Sequence, residues 1–353
     1  MTSAIPARTR PAPHEEPGLE PPELTESPED LRQLQEDFFH SLLESADLVD
    51  ERSPLPARSD GALLLATPEA IREAFVAAWE SLSHSLGLGI DPREALLGMR
   101  DLVAYDIPDG TRSTLSVPTA HDVETDAALY CLSWIHTLAS LGARTSVLLT
   151  HTAYNRERGP EDTKRFLAIL ARGIEPFRKY SNRHGVELRL HGVAPGYELE
   201  SAFRHAFPPP QSPRFLAHFL LDYEEEWFLT PEGRASLEAL PDIDVVVRHT
   251  KLQVSGGWIP IRMRKSAYVY SQNGTVNSNW TFEELAGMAA VTYLAKVLMK
   301  GEALSKSYVS VDELKERYKQ RELNLSQRVV RLRAKPRKLF VVGSPFGLVQ
   351  VYA

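Results

Sequence analysis

Cations gather at the end of one apolar run. Ile243 and Val245 to Val247, interrupted only by Asp244, give way to Arg248, His249, Thr250 and Lys251. A short β-branched run of this kind suits a buried parallel strand whose carboxyl end opens into a site. Ser255, Gly256 and Gly257 follow, and glycine exposes backbone amides without Cβ obstruction. A second strand-like run, Trp258 to Met263, carries Arg262, with Arg264 and Lys265 beside it. Cations at a strand end, a small-residue turn and a basic strand are the parts of an anion site. A surface turn with solvated charges is the competing reading. The second candidate is Asp109. Leu102 to Ile107 reads as a strand and Pro108-Asp109-Gly110 as a sharp turn. A carboxylate just past a strand's carboxyl end, beside glycine, can face a phosphate-bound magnesium ion. Pro-Asp-Gly is equally a favoured turn tripeptide.

The elements that must position these residues alternate. Strands are expected near 102–107, 145–149, 186–193 and 243–247, with helices between them. One helix runs from about Asp122 to Leu141, with Val123, Ala127, Cys131, Trp134, Leu138 and Leu141 on one face and Gly142 as its stop. Another starts at Gly159-Pro160-Glu161 and reaches about His184. Residues Tyr197 to Leu240 read mainly as helices whose aromatic residues could line an apolar pocket. Thr281-Phe282-Glu283-Glu284 is a capping box for a buried helix over about 282–299. This order implies an α/β fold, a parallel sheet with helices on both faces and ligands at the strand carboxyl ends. Asp109, Arg112, Asn155, Arg248 and Ser255 all fall at or just after such ends.

The same stretches resemble the cis-prenyltransferases, the undecaprenyl diphosphate synthase superfamily, over roughly residues 100–300. Val245-Val246-Val247-Arg248 is similar to that family's last core strand and its first arginine, Ser255 to its diphosphate-contacting serine, and Ser266-Ala267-Tyr268 to its later Ser-Ala-Tyr. Asp109-Gly110 and Arg112 resemble its Asp-Gly-Asn-Gly-Arg loop, with one residue deleted and Thr111 in the Asn position. The resemblance implies that Asp109 binds magnesium and that Arg112 binds diphosphate. His121 stands nearest to a family histidine that helps hold diphosphate, and Asn155 matches an asparagine in the loop that closes over substrate. Arg248, Ser255 and Gly256 complete the implied diphosphate site. The departures are Gln253, near where a second arginine stands, and Tyr270, where the family has a metal-binding glutamate.

The resemblance implies a Mg2+-dependent enzyme that condenses or converts allylic and isopentenyl diphosphates, working as a homodimer or paired with a related subunit. Two further readings stay open. One is a non-catalytic partner subunit, which the missing arginine and glutamate favour. The other is a relative that binds a different phosphorylated ligand.

Composition bounds these readings. With 43% hydrophobic and 25% charged residues, 353 residues can bury a sizeable core. A net charge of −7 argues against nucleic acid as a partner. The single cysteine, Cys131, excludes an internal disulfide and a multi-cysteine zinc site. No apolar run approaches the roughly 20 residues that span a bilayer, and the Pro- and Glu-rich start has no secretory pattern, so a cytoplasmic protein is expected. Residues 1–27 are expected to be disordered. Residues 28–99 read as a helical N-terminal extension, opening at Ser27-Pro28 with further starts at Thr67 and Asp91. Residues 100–305 form the α/β domain, and 306–353 a helix and a small C-terminal β appendage. The segment from Lys315 to Lys338 is strongly basic and could make a peripheral contact with anionic lipid.

Overall fold

The computed structural model describes residues 65–108, 123–157, 177–191, 212–221, 223–250, 256–273, 280–305, 329–332, 338–344 and 347–352, with a few isolated positions besides. The expected alternation appears in it. The parallel strands are β1 (Val103–Ile107), β2 (Thr145–Leu149), β3 (Val186–His191), β4 (Phe215–Leu220), β5 (Val245–His249) and β6 (Ala267–Ser271). Three more follow: β7 (Val329–Arg331), β8 (Leu339–Ser344) and β9 (Gly347–Tyr352). All belong to one nine-stranded sheet in the order β3-β4-β2-β1-β5-β6-β8-β9-β7. The C-terminal strands therefore continue the main sheet, because β8 pairs antiparallel with β6 through Tyr270 and Val341.

The described helices include α1 (Pro68–Leu86), α2 (Pro92–Met99), α3 (Val123–Ser140), the single turn α4 (Ala153–Arg156), α5 (Pro231–Ala239) and α6 (Phe282–Ser305). Their starts follow the residues that mark them. The Thr67 hydroxyl accepts from the Ala70 N–H at 3.3 Å, and Asp91 accepts from the Arg93 N–H at 2.8 Å. Glu284 accepts from the Thr281 N–H at 2.9 Å while the Thr281 hydroxyl accepts from the Glu284 N–H at 3.3 Å, closing the capping box. No described helix is long and apolar enough to cross a membrane.

Alternation along each strand divides the core in two. Ala104, Leu148, Val245, Val247, Ala267 and Val269 point to one face and pack with α1, α3 and α6. Tyr105, Ile107, Val147, Leu149 and Val246 point to the other and pack with Leu237 of α5 and with Tyr223 and Phe228 beside it. We call these the α6 face and the α5 face. Helix α1 is integral to the first, since its Ile71, Phe75, Trp79 and Leu82 are fully buried in it. Asp244, the acid that interrupts the apolar run into β5, is explained here. Its Oδ2 accepts from Lys296 Nζ of α6 at 2.8 Å and from the Val103 N–H at 2.9 Å, pinning the amino ends of β1 and β5 to α6. Lys296 also donates to the Asp101 carbonyl.

Two expectations about elements are corrected. Residues 215–220 form strand β4 and not a helix. The run is apolar on both faces, so its periodicity could not separate a buried strand from a buried helix. Trp258 to Met263 is a turn and not a strand. Pro260 has no N–H to give a ladder, and Ile261 sits at φ 68°, outside any strand conformation. The strand begins later, at Ala267.

The first N-terminal helix, the front of the helix reaching His184, the basic segment and the helix at Ser310 lie largely or wholly outside the described residues.

Candidate functional site

β1 sits between β2 on one side and β5 on the other, so the chain changes direction across it. A crevice outside the carboxyl ends at such a point is where open α/β sheets bind ligands. Arg248 stands there. It is the penultimate residue of β5, in register with Ile107 of β1 and Tyr270 of β6, and it points to the α5 face with only 4% exposure. One level down lie Tyr105, Val246 and Tyr268. Burial pushes the Tyr105 and Tyr268 phenols above their ordinary range, and the Arg248 guanidinium opposes that push at both. The cation therefore faces a wall of neutral phenols. The Tyr268 hydroxyl is buried and has no hydrogen-bond partner among the described residues.

The return of the loop after β5 closes over the same wall. Gly256 and Gly257 have φ of 99° and 83°, left-handed values that glycine adopts without strain. A Cβ on Gly257 would stand 2.6 Å from Leu149 Cδ2 and 3.1 Å from the Tyr105 hydroxyl, so only glycine fits this approach. The Tyr105 hydroxyl donates to the Gly257 carbonyl at 2.7 Å. The Tyr223 hydroxyl donates to the Trp258 carbonyl, and the Trp258 N–H donates to Glu225 at 3.1 Å.

The α6 face carries a different set at the same level. Asp106 and His249 are both fully buried, with Asp106 Oδ1 2.9 Å from His249 Nε2. The Tyr130 hydroxyl of α3 lies 3.0 Å from the same nitrogen, and His249 Nδ1 lies 3.2 Å from the Asn273 carbonyl. Burial, with the Asp106 carboxylate hydrogen-bonded beside it, holds the Tyr130 phenol well above its ordinary range. The rings of Tyr130 and Trp280 meet the imidazole edge-on. Asp106 Oδ2 has no hydrogen-bond partner among the described residues.

The sequence candidates divide accordingly. Arg248 stands at the end of β5 on the α5 face, and Gly256 precedes Gly257, whose carbonyl accepts from Tyr105 on that face. Asn155 lies in α4, just beyond β2, where its Oδ1 accepts from the Thr152 N–H at 3.0 Å and the Thr152 hydroxyl at 2.7 Å. That oxygen serves its own turn, which leaves the amide nitrogen as the group it can offer a ligand. Asp109, Arg112, His121, Ser255 and Gln253 lie outside the described residues. Tyr270 sits beside Arg248 in register, and its hydroxyl donates to the Thr250 carbonyl at 3.0 Å. Asp106, an acid that could replace the missing glutamate, faces away from Arg248 and is held by His249. Among the described residues no group of three or more acids, histidines or cysteines could hold a metal ion.

Tyr105 and Tyr130 were not foreseen as site residues; His249 and Gly257 were read with the anion site, Tyr268 only within the Ser-Ala-Tyr match, and Asp106 only as an acid that could replace the missing glutamate. A signal existed for Asp106: an acid at an inward position of an apolar strand requires a partner. Nothing in the order of residues points to that partner, which is 143 positions away.

No family model matches the chain, and no curated protein matches it. Among solved structures, the chain is similar to lavandulyl diphosphate synthase from Lavandula x intermedia, in complex with dimethylallyl diphosphate. The identity is 12% and the TM-score 0.43, covering 56% of this chain and 96% of that one. It is also similar to a probable undecaprenyl diphosphate synthase from Campylobacter jejuni, at 11% identity and a TM-score of 0.40, covering 55% of this chain and 95% of that one.

Proposed function

We propose that the carboxyl edge of β1 and β5, on the α5 face, binds the diphosphate of a prenyl substrate, and that the protein condenses or converts allylic and isopentenyl diphosphates. The observation that carries this reading is Arg248, a guanidinium 4% exposed at a strand end, beside a glycine turn and over apolar and phenolic side chains. A buried guanidinium binds a phosphate oxygen pair in a fixed fork, and a surrounding of low polarity strengthens the contact. Leaving diphosphate takes both electrons of its C–O bond, so cations held in place lower the barrier to ionisation. The allylic cation left behind is then open to attack by a second double bond, with a proton lost to close the step. Ile107, Leu149 and Val246 supply an apolar wall for the isoprenoid. The sequence resemblance adds Arg112, His121 and Ser255 to the diphosphate contacts, Asn155 to the closing loop, and Asp109 as the magnesium ligand. The described donors near Arg248 do not suit that metal. Tyr270 is a phenol engaged by Thr250, and Asp106 points to the other face.

Tyr270 also favours a second reading, a non-catalytic subunit that completes a related catalytic chain. Incubating the purified protein with magnesium, isopentenyl diphosphate and allylic diphosphates of several lengths, with products read by mass, tests both. Turnover by the protein alone supports the enzyme and removes the non-catalytic reading. Absence of turnover alone, with stimulation of a related catalytic subunit from the same cell, supports the second reading.

A further inference from the structure

We infer that His249, held by Asp106 and Tyr130, is a positioning residue for the anion site on the opposite face of the sheet. This inference rests on the reading of Arg248 as a diphosphate ligand. Arg248 and His249 are consecutive, so a side chain that fixes one fixes the backbone of the other. Both ring nitrogens of His249 are engaged, Nε2 with Asp106 at 2.9 Å and Nδ1 with the Asn273 carbonyl at 3.2 Å. Asn273 in turn donates from its backbone and side chain to the Ser271 hydroxyl, at 3.3 and 3.1 Å, and from its side chain to the Leu339 carbonyl at 3.3 Å. The end of β5 is thereby tied to β1, β6, β8 and α3.

What this clamp holds is strained. Thr250, the next residue, has φ 58°, a left-handed value that a β-branched residue adopts only when its surroundings force it. Its N–H donates to the Ser271 carbonyl at 2.7 Å, and its carbonyl accepts from Tyr270 at 3.0 Å. The chain leaves the sheet at this turn and is next described at Gly256 and Gly257, over Tyr105 on Arg248's face. The clamp itself is costly. Asp106 is fully buried, with one carboxylate oxygen lacking a partner, and well-packed apolar residues in place of a buried polar pair are often neutral or stabilising. A costly buried network next to a strained turn beside a candidate site is explained if it sets where the turn sends the glycines.

The test uses the whole chain, inorganic pyrophosphate with magnesium as the probe, and Arg248→Ala as the reference for the anion site. The double variant Asp106→Leu/His249→Met replaces the clamp by apolar side chains. It is expected to melt at or above the parent temperature, to bind pyrophosphate about tenfold more weakly, and to exchange amide hydrogens at residues 256–258 faster than the parent. Thr250→Pro, whose ring fixes φ near −65°, cannot take the left-handed turn; it redirects the chain without touching Asp106 or His249 and is expected to show the same loss of affinity. It also decides the matter if the double variant does not fold. A parent that binds pyrophosphate, weakened by Arg248→Ala but not by a folded Thr250→Pro or the folded double variant, overturns the positioning role and leaves the anion site standing. A parent that does not bind pyrophosphate removes both.

Discussion

Arg248 and His249 leave β5 one after the other and enter opposite surroundings. On the α5 face the guanidinium stands among the phenols of Tyr105 and Tyr268. On the α6 face the imidazole meets a buried carboxylate, a buried phenol and a part-buried carbonyl, all within hydrogen-bond distance. The first arrangement places a cation at the carboxyl edge of the sheet, over phenols. The second closes polar groups on one another. Strand alternation alone produces the division, because successive side chains point to opposite faces. A single strand end can therefore carry a binding group and the device that steadies it.

The sharpest way to break this comparison is His249→Ala. It removes a buried ring and leaves the Asp106 carboxylate buried without its partner, a change that costs about 3–5 kcal/mol. Urea unfolding should show a loss of this size. A loss below about 1 kcal/mol would mean that the α6-face set is not a tight network.

A smaller effect belongs to three other buried histidines. His136 of α3 meets the Tyr180 hydroxyl at 3.0 Å and the Ala66 carbonyl at 2.8 Å, a neutral ring with both nitrogens used. Burial lowers its pKa from 6.5 to about 4. Burial also lowers His184 and His218 to about 3. The unfolded chain therefore takes up protons that the folded chain does not, and stability falls as pH drops through 6.5 toward 4. From about pH 7 to about pH 5 the His136 contribution alone is about 2 kcal/mol. His136→Gln should flatten this slope in urea melts. An unchanged slope would place the acid sensitivity elsewhere.

Tyr270→Phe is the mildest probe. It deletes only the bond to the Thr250 carbonyl and should cost about 1 kcal/mol in stability. If Tyr270 instead helps to hold substrate, affinity for an allylic diphosphate will fall by more than stability does.

Much of this architecture was legible in the residues. β2 was expected at the positions where it lies, and β1, β3 and β5 within two residues of their ends, because β-branched runs bounded by turn residues have few other readings. Thr67, Asp91 and the Thr281–Glu284 box marked their helices by a local mechanism. What stayed hidden is non-local. β4 looks like a helix until β2 and β3 flank it, and the Trp258 run looks like a strand until Ile261 turns left-handed. Arg248 could be singled out from its place after an apolar run. Its phenolic wall could not, since Tyr105, Tyr223 and Tyr268 meet only through the sheet and its loops.

The most direct test of the α5 face as a diphosphate site is a calorimetric titration of inorganic pyrophosphate, with magnesium present, into the parent protein and into Arg248→Ala. The account predicts binding by the parent and a loss of about 1.5–3 kcal/mol in the variant, one to two decades in Kd. Equal affinity in the two folded proteins would contradict it.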